Sequence, residues 1–169
     1  MRTISIDGKE YVLEYSFAAA EHRETVQKMF NVVSGAYLVK DATFDSKEEN
    51  EDKKNNTVAT MINGVSEMVA DIPHIVKTAF YSGLLEHQPN IKEDEAYQLM
   101  KAYMKANKIS FNKLFEDIKT CMEDDGFFDL SGLTEMMENM KKSMEAAQAE
   151  KADKKVPTKR TAKKQTSTK

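Results

Sequence analysis

Apolar and polar positions alternate over the first fifteen residues and then take up a helical period that runs on past residue 140. In the opening stretch Ile4, Ile6, Tyr11 and Leu13 share one side of a two-residue repeat, and Thr3, Ser5, Glu10 and Glu14 share the other. Asp7-Gly8 between them is the dipeptide that accepts positive φ at both central positions of a type I′ turn. The pattern predicts a β-hairpin over residues 1–15 with Ile6 opposite Lys9 and Ile4 opposite Tyr11. An isolated two-stranded hairpin is marginal in water, so its apolar face needs cover from the helices behind it or from a neighbouring subunit.

From Ser16 onward the spacing is that of helices. Ser16 is placed to cap one carrying Phe17, Val26, Met29, Phe30 and Tyr37. The cleanest segment follows: Val58, Met61, Ile62, Val65, Met68, Val69 and Ile72 recur at i, i+3, i+4, i+7. Pro73 is expected to break or kink it, after which Ile75, Val76, Ala79, Phe80 and Leu84 continue the stripe towards His87. Asn90 with Glu93 has the spacing of a loose capping box for a helix bearing Ala96, Met100 and Tyr103. Ser110 caps the next, buried through Phe111, Phe115, Ile118 and Met122 up to Gly126. Asp129 is expected to cap the last, where Leu133, Met136, Met137, Met140 and Met144 share a side. The polar stretch 41–57, with Ala42 and Phe44 as its only apolar residues, reads as a loop or a weakly formed helix end. The prediction is a mainly α-helical domain of five to six helices over residues 16–149, with the N-terminal β-hairpin and a disordered basic tail over 150–169.

Composition and charge narrow the function. The chain has 169 residues, 31% of them charged, with no Trp and one Cys. This is the make-up expected of a soluble intracellular protein of one domain. No stretch approaches the roughly 18 apolar residues of a membrane span, and the N-terminus offers no apolar signal core. Residues 151–169 hold eight Lys/Arg against Asp153, a charge of +7, whereas residues 1–150 hold 17 Lys/Arg against 27 Asp/Glu, a charge of −10. The tail has too few apolar side chains to offset the entropy of ordering it.

Catalytic signatures are lacking. Cys121 lies on the apolar side of its helix, where burial suppresses thiol reactivity, and a lone Cys makes no internal disulfide. His22, His74 and His87 do not pair at i, i+4, and one Cys with three scattered His does not furnish a four-ligand zinc site. Aligning Gly126 with the glycine of a calcium loop puts Cys121 at the first ligand position and Gly132 where the bidentate Glu belongs. The six glycines are too dispersed for a phosphate-binding loop. No enzyme activity, cofactor or metal is therefore expected. The basic tail attracts phosphate by counterion release, but it has no aromatic residue to stack on a base and the acidic body repels polyanions, so nucleic acid is not expected as a partner.

Methionine is what remains. Of eleven, nine lie from Met61 onward on helical apolar stripes. A flexible, polarizable side chain suits a surface that repacks around differently shaped apolar partners. Leu133, Met136, Met137, Met140 and Met144 on the last helix are the candidate partner-binding residues, and Ile4, Ile6, Tyr11 and Leu13 on the hairpin are the candidates for self-association.

The Ile-Asp-Gly-Lys-Glu-Tyr turn at 6–11, the Tyr-Ser-Phe-Ala-Ala helix start at 15–19, Phe115-Glu116-Asp117-Ile118 and the Phe-Phe-Asp-Leu-Ser break at 127–131 together resemble tail assembly chaperones of long-tailed bacteriophages and prophages of Gram-positive hosts. The resemblance is strongest over residues 3–38 and weaker from about 95 to 135. It implies a non-enzymatic holdase in the host bacterial cytoplasm, absent from the mature virion, that coats the tape measure protein until tail tube protein replaces it. It also implies, in many members, a longer form made by translational frameshift, while the hairpin's apolar face and unpaired edges point to a homo-oligomer. Lys154-Lys155 and Lys163-Lys164 are compatible with the slippery run such a shift needs. A nucleic-acid-associated phage protein acting through the basic tail and a minor structural virion protein are the alternatives.

Overall fold

The computed structural model of the chain describes residues 1–39 and 51–153. Strands Arg2–Ile6 (β1) and Lys9–Leu13 (β2) pair antiparallel in the expected register, Ile4 with Tyr11 and Ile6 with Lys9. Asp7 and Gly8 turn the chain at φ 49° and 77°, the left-handed values that a type I′ turn demands of both central residues.

The single helix expected after Ser16 is instead three short ones: Phe17–Glu21 (α1), Arg23–Val33 (α2) and Ala36–Val39 (α3). His22 makes the first break. Its backbone is extended at φ −75° and ψ 94°, and its Nδ1 accepts the Thr25 N–H at 3.4 Å, so an imidazole takes the N-cap role usually filled by Ser or Asp. Ser16 precedes α1 but its side chain makes no capping bond, and Phe17 is left exposed. Gly35, at φ 67°, separates α2 from α3.

Helix Glu51–Leu84 (α4) runs 34 residues straight through Pro73, which does not break it. Proline removes one backbone donor and crowds the carbonyl four residues back, here that of Val69, at a cost of about 3 kcal/mol. Packing outweighs that cost, since Ile72, Ile75 and Val76 on either side of Pro73 are buried. The first turns of α4 also take up residues 51–57 of the polar stretch. Residues 41–50 and the tail from 154 to 169, with the disorder expected there, lie outside the described residues.

Helix Glu93–Asn107 (α5) starts after Lys92, so the Asn90–Glu93 box does not form. Three acidic residues, Glu93, Asp94 and Glu95, sit in its first turn, where the helix dipole favours them. Helix Phe111–Asp124 (α6) has the predicted cap, Ser110 Oγ accepting the Lys113 N–H at 3.2 Å. Gly126 then opens the short helix Phe127–Leu130 (α7), which contains Asp129, and the last helix is Leu133–Asp153 (α8). Among the described residues five helices exceed ten residues, and with the hairpin they make the mainly α architecture the periodicity predicts.

The chain divides into two units, Met1–Glu135 and Met136–Lys169. The first contains the core. There Tyr15, Met29, Phe80, Met100, Met122 and Phe127 are fully buried, and the Tyr15 ring meets Phe127 edge-on at 6.4 Å between centroids. Tyr15 is also held by its backbone, whose N–H donates to Asp125 Oδ2 at 2.9 Å, and Asp125 in turn pairs with the α-amino group of Met1. Gly83 in α4 lets this ring come close: a Cβ there would stand 2.7 Å from Tyr15 Cζ.

Candidate functional site

Six apolar residues of α4, Ile62, Val65, Val69, Ile72, Val76 and Phe80, follow one another at intervals of three or four and so form one row along the helix. The row changes environment midway. Ile62, Val65 and Val69 are 63%, 44% and 51% exposed, whereas Ile72, Val76 and Phe80 are 7%, 0% and 0%. Strand β2, α5 and α6 pack on α4, and the Glu14 N–H donates to the Gly83 carbonyl at 2.8 Å, which seats the end of the hairpin on the buried half.

The exposed half is supported from another side. Tyr37 of α3 donates its hydroxyl to Asp71 Oδ2 at 2.8 Å. Burial and that hydrogen bond push the Tyr37 phenol up to about 12. Two helical residues subtend about 200°, so Asp71 lies nearly opposite Val69 and this contact leaves the apolar row uncovered. Full burial of a Val or Ile side chain stabilises by roughly 1.5–3 kcal/mol, so covering three that are half exposed releases on the order of 3 kcal/mol. That is well short of the roughly 8 kcal/mol of a micromolar complex, and contacts of this size become effective when many copies hold one elongated partner.

The second apolar feature is on α8. Met136 and Met140, four residues apart and therefore on one face, are 48% and 37% exposed, and Met137 is half-buried. The other two candidate partner-binding residues fare differently. Leu133 is 3% exposed and belongs to the core, and the Met144 side chain lies outside the described residues.

The hairpin face proposed for self-association is occupied. Ile4, Ile6 and Leu13 are buried in the core cluster and Tyr11 is packed against it, because α5 lies on β1 and α4 on β2. The cover that the hairpin requires comes from the chain's own helices, so these four side chains do not form a free docking face.

Several titratable groups make contacts within the fold. Cys121 is buried with Sγ 3.8 Å from the Leu13 carbonyl and 3.6 Å from Asp125 Oδ2, and burial pushes its thiol up. His87 Nε2 meets Glu14 Oε2 at 2.8 Å, joining the turn after α4 to the hairpin. His74 and the capping His22 share a cleft of about 70 Å³ with Glu24, Lys77, Thr78, Tyr81 and Glu93. Among the described residues no group of three or more His, Cys, Asp or Glu side chains is placed to hold a metal ion, and no helix is long and apolar enough to cross a membrane. No family model, curated protein or solved structure matches the chain.

Sequence reasoning singled out the methionines of α8 and passed over Ile62, Val65 and Val69, whose spacing looks identical to that of a core stripe. The one local difference is in the charges: in a chain that is 31% charged, residues 55–66 carry none.

Proposed function

We propose that this protein is a tail assembly chaperone of a long-tailed bacteriophage or prophage, which binds the tape measure protein and keeps it soluble in the host cytoplasm until the tail tube polymerises. The observation that carries this reading is the exposed apolar surface on two helices, Ile62, Val65 and Val69 of α4 and Met136 and Met140 of α8. A tape measure protein offers long stretches of amphipathic helix, and a holdase must cover apolar stripes along it without requiring one shape. Short, shallow apolar faces used by many copies meet that need better than a deep pocket does. The −10 charge over residues 1–150 keeps such an assembly in solution.

Co-expression with the tape measure gene of the same cluster is the test. The expected result is a soluble tape measure protein that co-purifies with this chain, which mass spectrometry then fails to find in purified virions. An insoluble tape measure protein with no co-purification overturns the reading.

A further inference from the structure

The hairpin has two edges, and the chain guards only one of them. A two-residue turn makes Ile6 and Lys9 a hydrogen-bonded pair, so Ile4 with Tyr11 and Arg2 with Leu13 are hydrogen-bonded as well. Thr3, Ser5, Glu10 and Val12, at the alternate positions, turn their backbone N–H and C=O groups outwards along the two edges. On β2 the next outward group, the Glu14 N–H, is taken by the Gly83 carbonyl at 2.8 Å, and the exposed Lys9 and Glu10 put charge along the strand, a usual protection of an edge. Strand β1 has neither. Among the described residues the outward groups of Thr3 and Ser5 meet no partner, their side chains are exposed and uncharged, and the strand holds no proline or bulge. Its one long charged side chain, Arg2, is turned to the core side, with its guanidinium 3.4 Å from the Tyr103 hydroxyl and 3.2 Å from Asp117 Oδ2.

We propose that this open edge pairs with the β1 strand of a second copy, antiparallel about a two-fold axis at Ile4, to form one four-stranded sheet in the order β2-β1-β1-β2. Self-complementarity selects a second copy as the occupant. With the axis at Ile4, Thr3 of each copy lies opposite Ser5 of the other, and each of these two pairs exchanges two backbone hydrogen bonds. The Thr3 and Ser5 hydroxyls meet as a cross-strand pair on the outer face, Ile4 lies opposite Ile4 and Arg2 opposite Ile6, so no like charges face each other across the seam. A five-residue edge buries less than the roughly 800 Å² per partner of a stable interface, so the pairing is reversible. The inference goes beyond client binding. It uses none of Ile62, Val65, Val69, Met136 and Met140, so the dimer presents both of those exposed sets twice.

Sedimentation equilibrium of the full-length protein and residue-resolved amide exchange test the pairing together. The expected result is a monomer–dimer equilibrium in which the Thr3 and Ser5 amides exchange at least tenfold more slowly above the dissociation constant than below it, while the Glu10 and Val12 amides do not change. Ser5→Pro removes an outward N–H that the hairpin itself does not use, and is expected to weaken association tenfold or more. Glu10→Pro, the same change on β2, keeps the association within twofold. Circular dichroism verifies that both variants are folded. The Thr3→Lys/Ser5→Lys variant, which sets like charges opposite each other and leaves the backbone donors in place, gives the same tenfold loss and decides the matter should Ser5→Pro unfold. A wild-type chain that stays monomeric at millimolar concentration, or a dimer that the β1 variants leave intact, overturns the proposal. So does a dimer dissociated by Val65→Asp/Val69→Asp or by removal of residues 154–169, which would make α4 or the tail the contact. Protection of the Thr3 and Ser5 amides only when tape measure protein is bound would assign the edge to an extended client segment and also overturn it. A β1 dimer beside an insoluble tape measure protein removes the phage assignment alone, and a solubilised tape measure protein with a monomeric chain removes this inference alone.

Discussion

Residues 62–69 and 72–80 of α4 have the same period, the same kind of side chain and the same helix, yet one stretch is half exposed and the other sealed. Local sequence therefore does not decide which part of an amphipathic helix becomes core. What decides is whether other elements of the chain cover it, and cover reaches Ile72, Val76 and Phe80 but not Ile62, Val65 and Val69. The sealed half holds the fold together, and the open half leaves its apolar side chains exposed.

The sharpest way to break the contrast is to truncate one residue from each half. Phe80→Ala, at a fully buried position, is expected to lose about 3–5 kcal/mol in urea unfolding, whereas Val65→Ala changes stability by no more than about 0.5 kcal/mol. Comparable losses at both sites would mean that the open half is covered after all.

Gly83→Ala tests the tightest contact of the sealed half. Alanine is the better helix former by about 1 kcal/mol, but its methyl would enter the Tyr15 ring, which is fully buried and has nowhere to retreat. A net loss of about 1–3 kcal/mol and a lower Tm are expected, and a gain in Tm would show that the ring can move.

Pro73→Ala acts at the boundary between the halves. It restores the N–H that Val69 lacks as a partner and removes a ring from the helix interior, against a smaller loss from a more flexible unfolded chain. The expected outcome is stabilisation by about 1 kcal/mol, with slower hydrogen exchange along residues 62–72 if the proline sets the local opening of the exposed half.

The mildest prediction concerns the strut behind that half. Tyr37 ionises in the unfolded chain at its ordinary value of 10.0 and in the fold at about 12. The folded chain thus holds the phenolic proton more tightly, and its contribution, complete below pH 10, is lost as pH rises from 10 to 12. Thermal melts across that window should fall less steeply for Tyr37→Phe than for the wild type, and parallel curves would show that the Tyr37 to Asp71 bond adds nothing in solution.

The hairpin was legible to the residue, because a two-residue period and an Asp-Gly turn leave no freedom in register. The Ser110 cap was legible for the same reason, as a local rule with no competitor. Features that depend on distant partners were not. Nothing in the spacing of Phe17 to Tyr37 announces that an imidazole will end α1 and start α2, since histidine is not a usual cap. Pro73 reads as a stop until the burial on both sides of it is known. The same blindness misjudged exposure: Leu133 and the hairpin face look available in one dimension and are consumed in three, whereas Ile62, Val65 and Val69 look consumed and are exposed.

The seating of the hairpin sets an order of events during birth on the ribosome. The Tyr15 N–H finds its carboxylate 110 residues later at Asp125, and the Arg2 guanidinium reaches a hydroxyl 101 residues on at Tyr103. Translation adds residues at roughly 5–20 per second, so the first strand waits on the order of ten seconds before its permanent neighbours exist. For that interval the nascent N-terminus carries bare isoleucines of its own, with nothing yet synthesised to bury them.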